Sequence, residues 1–284
     1  MTQLDPLLIA LGTLGTLIFI ITSMVGMGFS LTIPQIIAPL RNKRLVLLAL
    51  AANFIIVPIL VLLIAQVLPL SDGLQIGLIL CGMAAGAPFL PKLVQVAKGD
   101  LAFTLGLMVL LMVISVAFMP VILPLVLSGV QVSPWDIAKS LVLLMLIPLG
   151  IALFVRARYE EVAKSLLPTM TMATNLSLVV LFVGFFVPYF NDIVGILGAG
   201  GILAAVLLVT GAVAVGYLLG GPGLGTRKVL ALGTGQRNMA AAFAVATSNF
   251  QSNPEVLIEI LVVSLLGLVL LMVIAGYMGK RTVV

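Results

Sequence analysis

Two short runs hold most of the chain's chemistry. The first is Gly233-Thr-Gly-Gln-Arg-Asn238, in which Gly233, Thr234 and Gly235 lead into Gln236, Arg237 and Asn238. The second is Ala87-Pro-Phe-Leu-Pro-Lys92, with Gly82 and Gly86 just before it in the same apolar stretch. A guanidinium, an ammonium and two amides are groups that recognise an anion such as a carboxylate. They are not a catalytic set. The chain has no histidine and a single cysteine, Cys81. That removes His-based metal sites, histidine general bases, Ser-His-Asp triads, internal disulfides and Cys clusters. No acid, base and nucleophile fall together, so no enzyme and no cofactor is expected.

Membrane helices must position these runs. Of 284 residues, 62% are hydrophobic and 8% charged, and the mean hydropathy is +1.35, whereas soluble chains carry about 25% charged residues. Such a composition cannot make a water-facing surface, which excludes a soluble enzyme, a disordered chain and a nucleic-acid binder. A spanning helix needs about 20 mostly apolar residues. By that ruler the chain divides into nine segments, 6–33, 45–69, 74–97, 101–127, 136–155, 167–190, 194–219, 229–249 and 255–279. The expected fold is an all-α polytopic membrane protein with nine transmembrane helices, one transporter domain over residues 1–284. The start, MTQLDPLL, lacks a basic region and a small-residue cleavage site, so no removable signal peptide is expected.

The charges test this division independently. Arg41, Lys43, Arg44, Lys98, Arg156, Arg158, Lys164, Arg227, Lys228, Lys280 and Arg281 fall on one side, eleven of the 14 basic residues. The other side carries Asp5, Asp72, Asp136, Asp192 and Glu255, with Lys139 as its one base. The positive-inside rule then predicts an external N-terminus and a cytoplasmic C-terminus, in a bacterial inner (plasma) membrane. The net charge of +5 is a topological signal.

Lys92 in span three and Arg237 in span eight remain inside the membrane, with Glu259 near an outer helix end. Spans three and eight are five apart and cross in opposite directions. The same offset relates spans one to four with six to nine, the arithmetic of an inverted repeat. Pro88 and Pro91 each remove an N–H and together break span three. Broken helices at corresponding places in two halves point to a transporter's binding site. An arginine at a helix centre costs about 2.5–3.5 kcal/mol on insertion scales and keeps its proton. Arg237 must therefore face a cavity, a counter-ion or a ring of carbonyls. With no acidic group at mid-depth, a visiting anion is its expected partner. Lys92 either snorkels to the interface or joins Arg237 if the two prolines fold the chain back. Gly12, Gly15, Gly26 and Gly28 read as packing residues, and single hydroxyls or amides within spans as helix–helix hydrogen bonds. Asn53, five residues before Pro58, reads instead as a cavity wall.

At these motifs the chain resembles the bile acid:sodium symporter family over nearly its whole length. The resemblance rests on Ser23-Met-Val-Gly-Met-Gly-Phe-Ser-Leu-Thr32, Ala52-Asn-Phe-Ile-Ile-Val-Pro58, Ala97-Lys-Gly-Asp100 and Gly235-Gln-Arg-Asn238, in that order. It implies a panel of spans 6–33, 136–155 and 167–190, and a core of the other six. Two discontinuous helices cross in that core, and an elevator-like or rocking motion exposes the site alternately. The departures fall where the family holds sodium. Its usual acidic residue falls on Gly233, and the glutamine before the asparagine on Arg237. The place of a Ser/Thr-Asn pair holds Ala87 to Lys92. Thr104 matches one downstream hydroxyl, the next falls on Met108, and Asn53 stands for a longer amide.

Losing a carboxylate and gaining a guanidinium reverses the local field. The expectation is therefore that Arg237, with Lys92, permanently supplies the positive charge that sodium would bring. The chain would carry a small organic anion without sodium, as a uniporter, exchanger or proton-coupled carrier. Arg237 is the expected leading contact, Asn238 and Gln236 supply hydrogen bonds, and Gly233 and Gly235 shape the turn. Thr234, Lys92, Pro88, Ala87, Asn53 and Thr104 complete the site. No metal site is assigned. Asn53 and Thr104 are the residual sodium contacts in the alternative reading, a sodium-coupled organic anion symporter. A further alternative is a non-transporting membrane receptor or assembly factor on a transporter scaffold. The expected partners are the organic anion and the lipid bilayer, with a homodimer as the protein partner considered and no nucleic acid.

Overall fold

The computed structural model of the chain describes residues 5–37, 41–127, 133–190 and 200–280, and every regular element among them is helical. Seven helices are long and apolar enough to cross a membrane: α1 (Asp5–Ser30), α3 (Lys43–Val67), α6 (Leu101–Val126), α7 (Pro134–Arg158), α8 (Glu160–Phe186), α9 (Gly201–Leu219) and α12 (Pro254–Lys280). A one-turn helix, α2 (Ile33–Ile37), follows α1. Half-length helices stand where the predicted spans 74–97 and 229–249 fall. They are α4 (Asp72–Met83) with α5 (Leu90–Ala97), and α10 (Leu224–Gly235) with α11 (Met239–Asn249).

Side-chain caps fix several helix starts. Ser71 accepts from the N–H of Leu74, Asp100 from Phe103 and Ser133 from Asp136, each satisfying a donor that the first turn leaves open. Two wide π turns, Ala52–Ile56 in α3 and Val142–Leu146 in α7, precede Pro58 and Pro148. The proline ring pushes away the carbonyl one turn back, and the helix absorbs this as an extra residue per turn. One boundary differs from expectation. Helix α8 begins at Glu160, before the predicted start at 167. Its added turns are held by Arg156–Glu160, Lys164–Glu160 and Lys164–Glu161 ion pairs at helical i,i+3 and i,i+4 spacing. Asp192, Arg281 and the start of the predicted span 194–219 lie outside the described residues.

Helices α1, α7 and α8 pack closely through small residues. A Cβ added to Gly12 would lie 3.0 Å from the Gly184 backbone, one on Gly15 2.9 Å from Leu181, and one on Gly28 2.5 Å from the Ala152 Cβ. These glycines let backbones touch, the packing role expected of them. Gly26 is looser, with Met170 as its nearest contact. Two ends of the bundle can be told apart. Gly73 lies against Glu255 at one, while Gly279 lies against Val96 and Lys228 donates to the Ala97 carbonyl at the other. Helices α4 and α10 thus run inward from opposite ends, and their C-terminal ends meet in the interior.

Candidate functional site

After Met83 the chain leaves the helix and turns at Gly86, where φ is 82°. A side chain there would strike the backbone of Met112, so the position requires glycine. The exposed peptide groups of this break are met from two neighbours. Ser115 Oγ on α6 accepts from the Ala85 N–H at 2.8 Å and donates to the Ala85 carbonyl at 3.0 Å. The Asn238 N–H donates to the Ala84 carbonyl at 3.0 Å, and its Nδ2 to the Gly86 carbonyl at 2.9 Å. The Asn238 side-chain oxygen caps α11 by accepting from the Ala241 N–H. Of the two prolines, Pro88 lies in the break, whereas Pro91 falls in the first turn of α5, where a missing N–H costs nothing.

Arg237 ties the breaks together. It is 2% exposed. Its Nε donates to the Cys81 carbonyl at 3.1 Å, and one terminal nitrogen to the Gly82 carbonyl at 2.6 Å. The other donates to the Thr234 carbonyl and to Asn53 Oδ1, both at 3.0 Å. Four of the five N–H groups that a guanidinium owns are therefore committed to protein oxygens. Three of those oxygens are carbonyls from the last turns of α4 and α10, the negative ends of both helices. Asn53 completes the ring from the π turn of α3, its own Nδ2 donating to the Ala49 carbonyl and to Thr234 Oγ1. Of the three surroundings that the sequence allows for this charge, the ring of carbonyls forms, and the edge of the residue also reaches a cavity.

A cavity of about 680 Å³ lies between α1 and α8 on one side and both breaks on the other. The N-terminal ends of α5 and α11 border it through Phe89, Lys92, Met239 and Ala240. Most of the wall is apolar. Its polar groups are Ser23 and Ser30 on α1, Thr171, Thr174 and Asn175 on α8, Ser264 on α12, and Lys92, Gln236 and Arg237 at the breaks. The Gln236 amide oxygen has no hydrogen-bond partner. Lys92 is exposed.

The predicted site residues fall into groups. Asn53, Thr234, Arg237 and Asn238 meet at the buried crossing. Ala87, Pro88, Lys92, Gly235, Gln236 and the edge of Arg237 line the cavity. Asn53 is fully buried and holds Arg237 rather than forming a wall. Gly233 and Gly235 lie inside α10, not in the turn, which residues 236–238 make. They serve close packing: a Cβ on Gly233 would press on Leu90, and one on Gly235 would overlap Val213. Thr104 is buried on α6, its hydroxyl donating to the Asp100 carbonyl, and it makes none of the crossing's bonds. Lys92 does not fold back onto the crossing; it stands in the first turn of α5 and faces the cavity. The polar stripe of α8, Thr171, Thr174 and Asn175, also lines the cavity; its sequence signal is the i,i+3,i+4 spacing that puts side chains on one helix face.

Residues 17–194 match the family model described as the Sodium Bile acid symporter family. The match includes the first break, Asn53 and Thr104 and stops before the second break. Sodium/bile acid cotransporter 4 of Mus musculus is 24% identical over 167 residues, covering 57% of this chain and 38% of that protein. The proteins of that name from Rattus norvegicus and Homo sapiens show the same identity and coverage. The chain thus spans about two fifths of the length of the curated relatives it matches.

Proposed function

Because the chain belongs to the sodium bile acid symporter family, whose members are transporters and not enzymes, we propose that it carries an organic anion across the membrane without sodium. The observation that carries this reading is the Arg237 guanidinium bonded to Cys81, Gly82, Thr234 and Asn53. A sodium ion is held by several oxygen donors, and here oxygens from both breaks already surround a cation that cannot leave or lose its charge. The fixed charge holds the crossing together in every cycle.

Each broken pair then makes one crossing, which brings the seven continuous helices to nine and sets the breaks in inversely related repeats. Helices α1, α7 and α8 form the panel, the others the core, and the cavity between them is the substrate site, open alternately to either side. Its volume falls in the range of about 300–1,000 Å³ typical of small-molecule sites. An amphipathic anion suits it: an apolar body against Phe19, Met27, Met108 and Leu271, and one acidic group near Lys92. Gln236 and Asn175 supply hydrogen bonds, the Gln236 amide oxygen having no partner within the protein. Arg237 contributes its remaining N–H and the positive potential behind it.

The test is a thermal-shift screen of anionic amphiphiles on the purified protein, taurocholate among them. Uptake of the ligand found is then measured in proteoliposomes with sodium replaced by choline. Uptake persists under the proposal; strict dependence on sodium rejects it.

A further inference from the structure

Helix α4 also packs against α12, and there two glycines one turn apart meet two glutamates one turn apart. A Cβ on Gly73 would lie 2.5 Å from the Glu255 Cβ, and one on Gly77 2.7 Å from the Glu259 Cβ. The absent side chains are the notches that admit both carboxyls into the contact. The two glutamates then differ in kind. Glu255, at the bundle end, accepts a hydrogen bond from the Ser71 hydroxyl. Glu259 is fully buried, and neither of its oxygens has a hydrogen-bond partner. The residues next to it in sequence on α12, Ile258 and Ile260, and those flanking Gly77 on α4, Ile76 and Leu78, are all buried.

An ionised carboxylate withdrawn from water is strongly disfavoured unless a cation and donors offset it. None is in place. Arg237 has its donors on carbonyls and on Asn53. On α4 the ionisable groups are Asp72 at its outer end and Cys81, one turn beyond Gly77 and within electrostatic reach of Glu259. Helix α11 carries no ionisable side chain. Helix α5 meets α12 at Gly279 through Val96, about five turns from Glu259, and α10 meets it at Leu271 through Gly235; their ionisable groups are Lys92, which faces the cavity, and Arg227 and Lys228, the latter donating to the Ala97 carbonyl. Tyr217 of α9 stacks with Arg227 of α10. On α8, Glu160, Glu161 and Lys164 pair among themselves and with Arg156. A metal ion needs several converging oxygens, and no polar side chain is hydrogen-bonded to Glu259. Among the described residues no cluster of three or more acidic, His or Cys groups can hold a metal.

We propose that Glu259 is a proton-binding site: its carboxyl is neutral while α4 and α12 are packed as described here, and it ionises only where water reaches it. Glu255, one turn nearer the bundle end and neighbouring at i,i+4 spacing, with its Ser71 partner, is the route by which protons reach it. On the carrier reading above, a site that is neutral when dry and charged when wetted makes the proton the coupling ion. Only that last step depends on transport; the neutral carboxyl does not.

Infrared spectroscopy of the purified full chain in an ester-free detergent tests it directly, since the chain has only nine Asp and Glu residues. At pH 7 the wild type should show a protonated-carboxyl C=O band. Glu259→Gln should lose it, Glu255→Gln should keep it, and Glu259→Asp should shift it. Absence of the band in the wild type overturns the proposal, as does its survival in Glu259→Gln. Should that variant not fold, the wild-type band and its position in Glu259→Asp still decide, and an unmoved band rejects the assignment. No substrate is needed, so failure of the carrier reading and failure of this one are separable.

Discussion

The two breaks interrupt their helices at the same depth of the bundle and by opposite means. The first, residues 84–89, is made of Ala, Gly, Pro and Phe; it presents bare peptide groups and relies on Ser115 and Asn238 to meet them. The second, residues 236–238, is nearly all polar side chain, and it supplies the donors that the first lacks. One cation stands within the second break and one in the helix turn just after the first, and their fates diverge. Arg237 is enclosed and bonded to four oxygens, whereas Lys92 stands exposed on the cavity wall. The difference teaches that an intramembrane charge is not by itself a ligand site. A charge whose donors are committed to helix ends is part of the frame, and a charge with free donors beside an open cavity can recognise a guest.

Arg237→Met should damage the molecule most. It leaves the Gly82 and Thr234 carbonyls and the Asn53 amide oxygen unmet, and the Cys81 carbonyl with the Ala84 N–H alone, at about 1–3 kcal/mol for each buried unmet group. We expect a loss above about 4 kcal/mol, read as a collapse of folded yield and melting temperature. Arg237→Lys should recover only part, because an ammonium lacks the planar fork that reaches both helix ends. An unchanged melting temperature in the methionine variant would erase the distinction between the two cations.

Asn238→Ala should come next, at about 2 kcal/mol, since it removes the α11 cap and the bond to the Gly86 carbonyl. Thermal unfolding in detergent measures it. A cost below that of an ordinary exposed substitution would mean that the second break does not support the first.

Lys92→Ala should be nearly silent in stability, within about 0.5 kcal/mol. Its effect should appear in ligand binding instead, a roughly tenfold weaker affinity for the anionic ligand, equivalent to about 1.4 kcal/mol. Equal thermal shifts by that ligand in wild type and variant would remove Lys92 from recognition.

Much of the helix inventory was legible in the sequence because membrane helices must satisfy their backbone within each segment. A 26-residue apolar run such as Leu101–Val126 has few other options. The first interruption was legible through Pro88, which cannot continue a helix, whereas Pro91, expected to share that role, falls in the first turn of α5. The extra turns of α8 were not, because Glu160, Glu161 and Lys164 read as loop until their helical pairing with Arg156 is seen. Which of the proposed site residues stand together, and what each one touches, depends on the fold. Gly233 and Gly235 stand beside a polar run and read as turn residues, yet their use depends on Leu90 and Val213, which come from distant parts of the chain.

The sequence by itself determined that Arg237 carries an unremovable charge into apolar surroundings and that something must answer it. Only the tertiary structure decided what. The answering oxygens belong to Cys81, Gly82 and Asn53, more than 150 residues away, and carbonyls look alike at every position of a sequence. What makes these particular ones available is that α4 and α10 end, and end facing each other. The same holds for Glu259, whose lack of any partner arises from the close approach of α4 and α12, a property of two helices that neither one encodes alone.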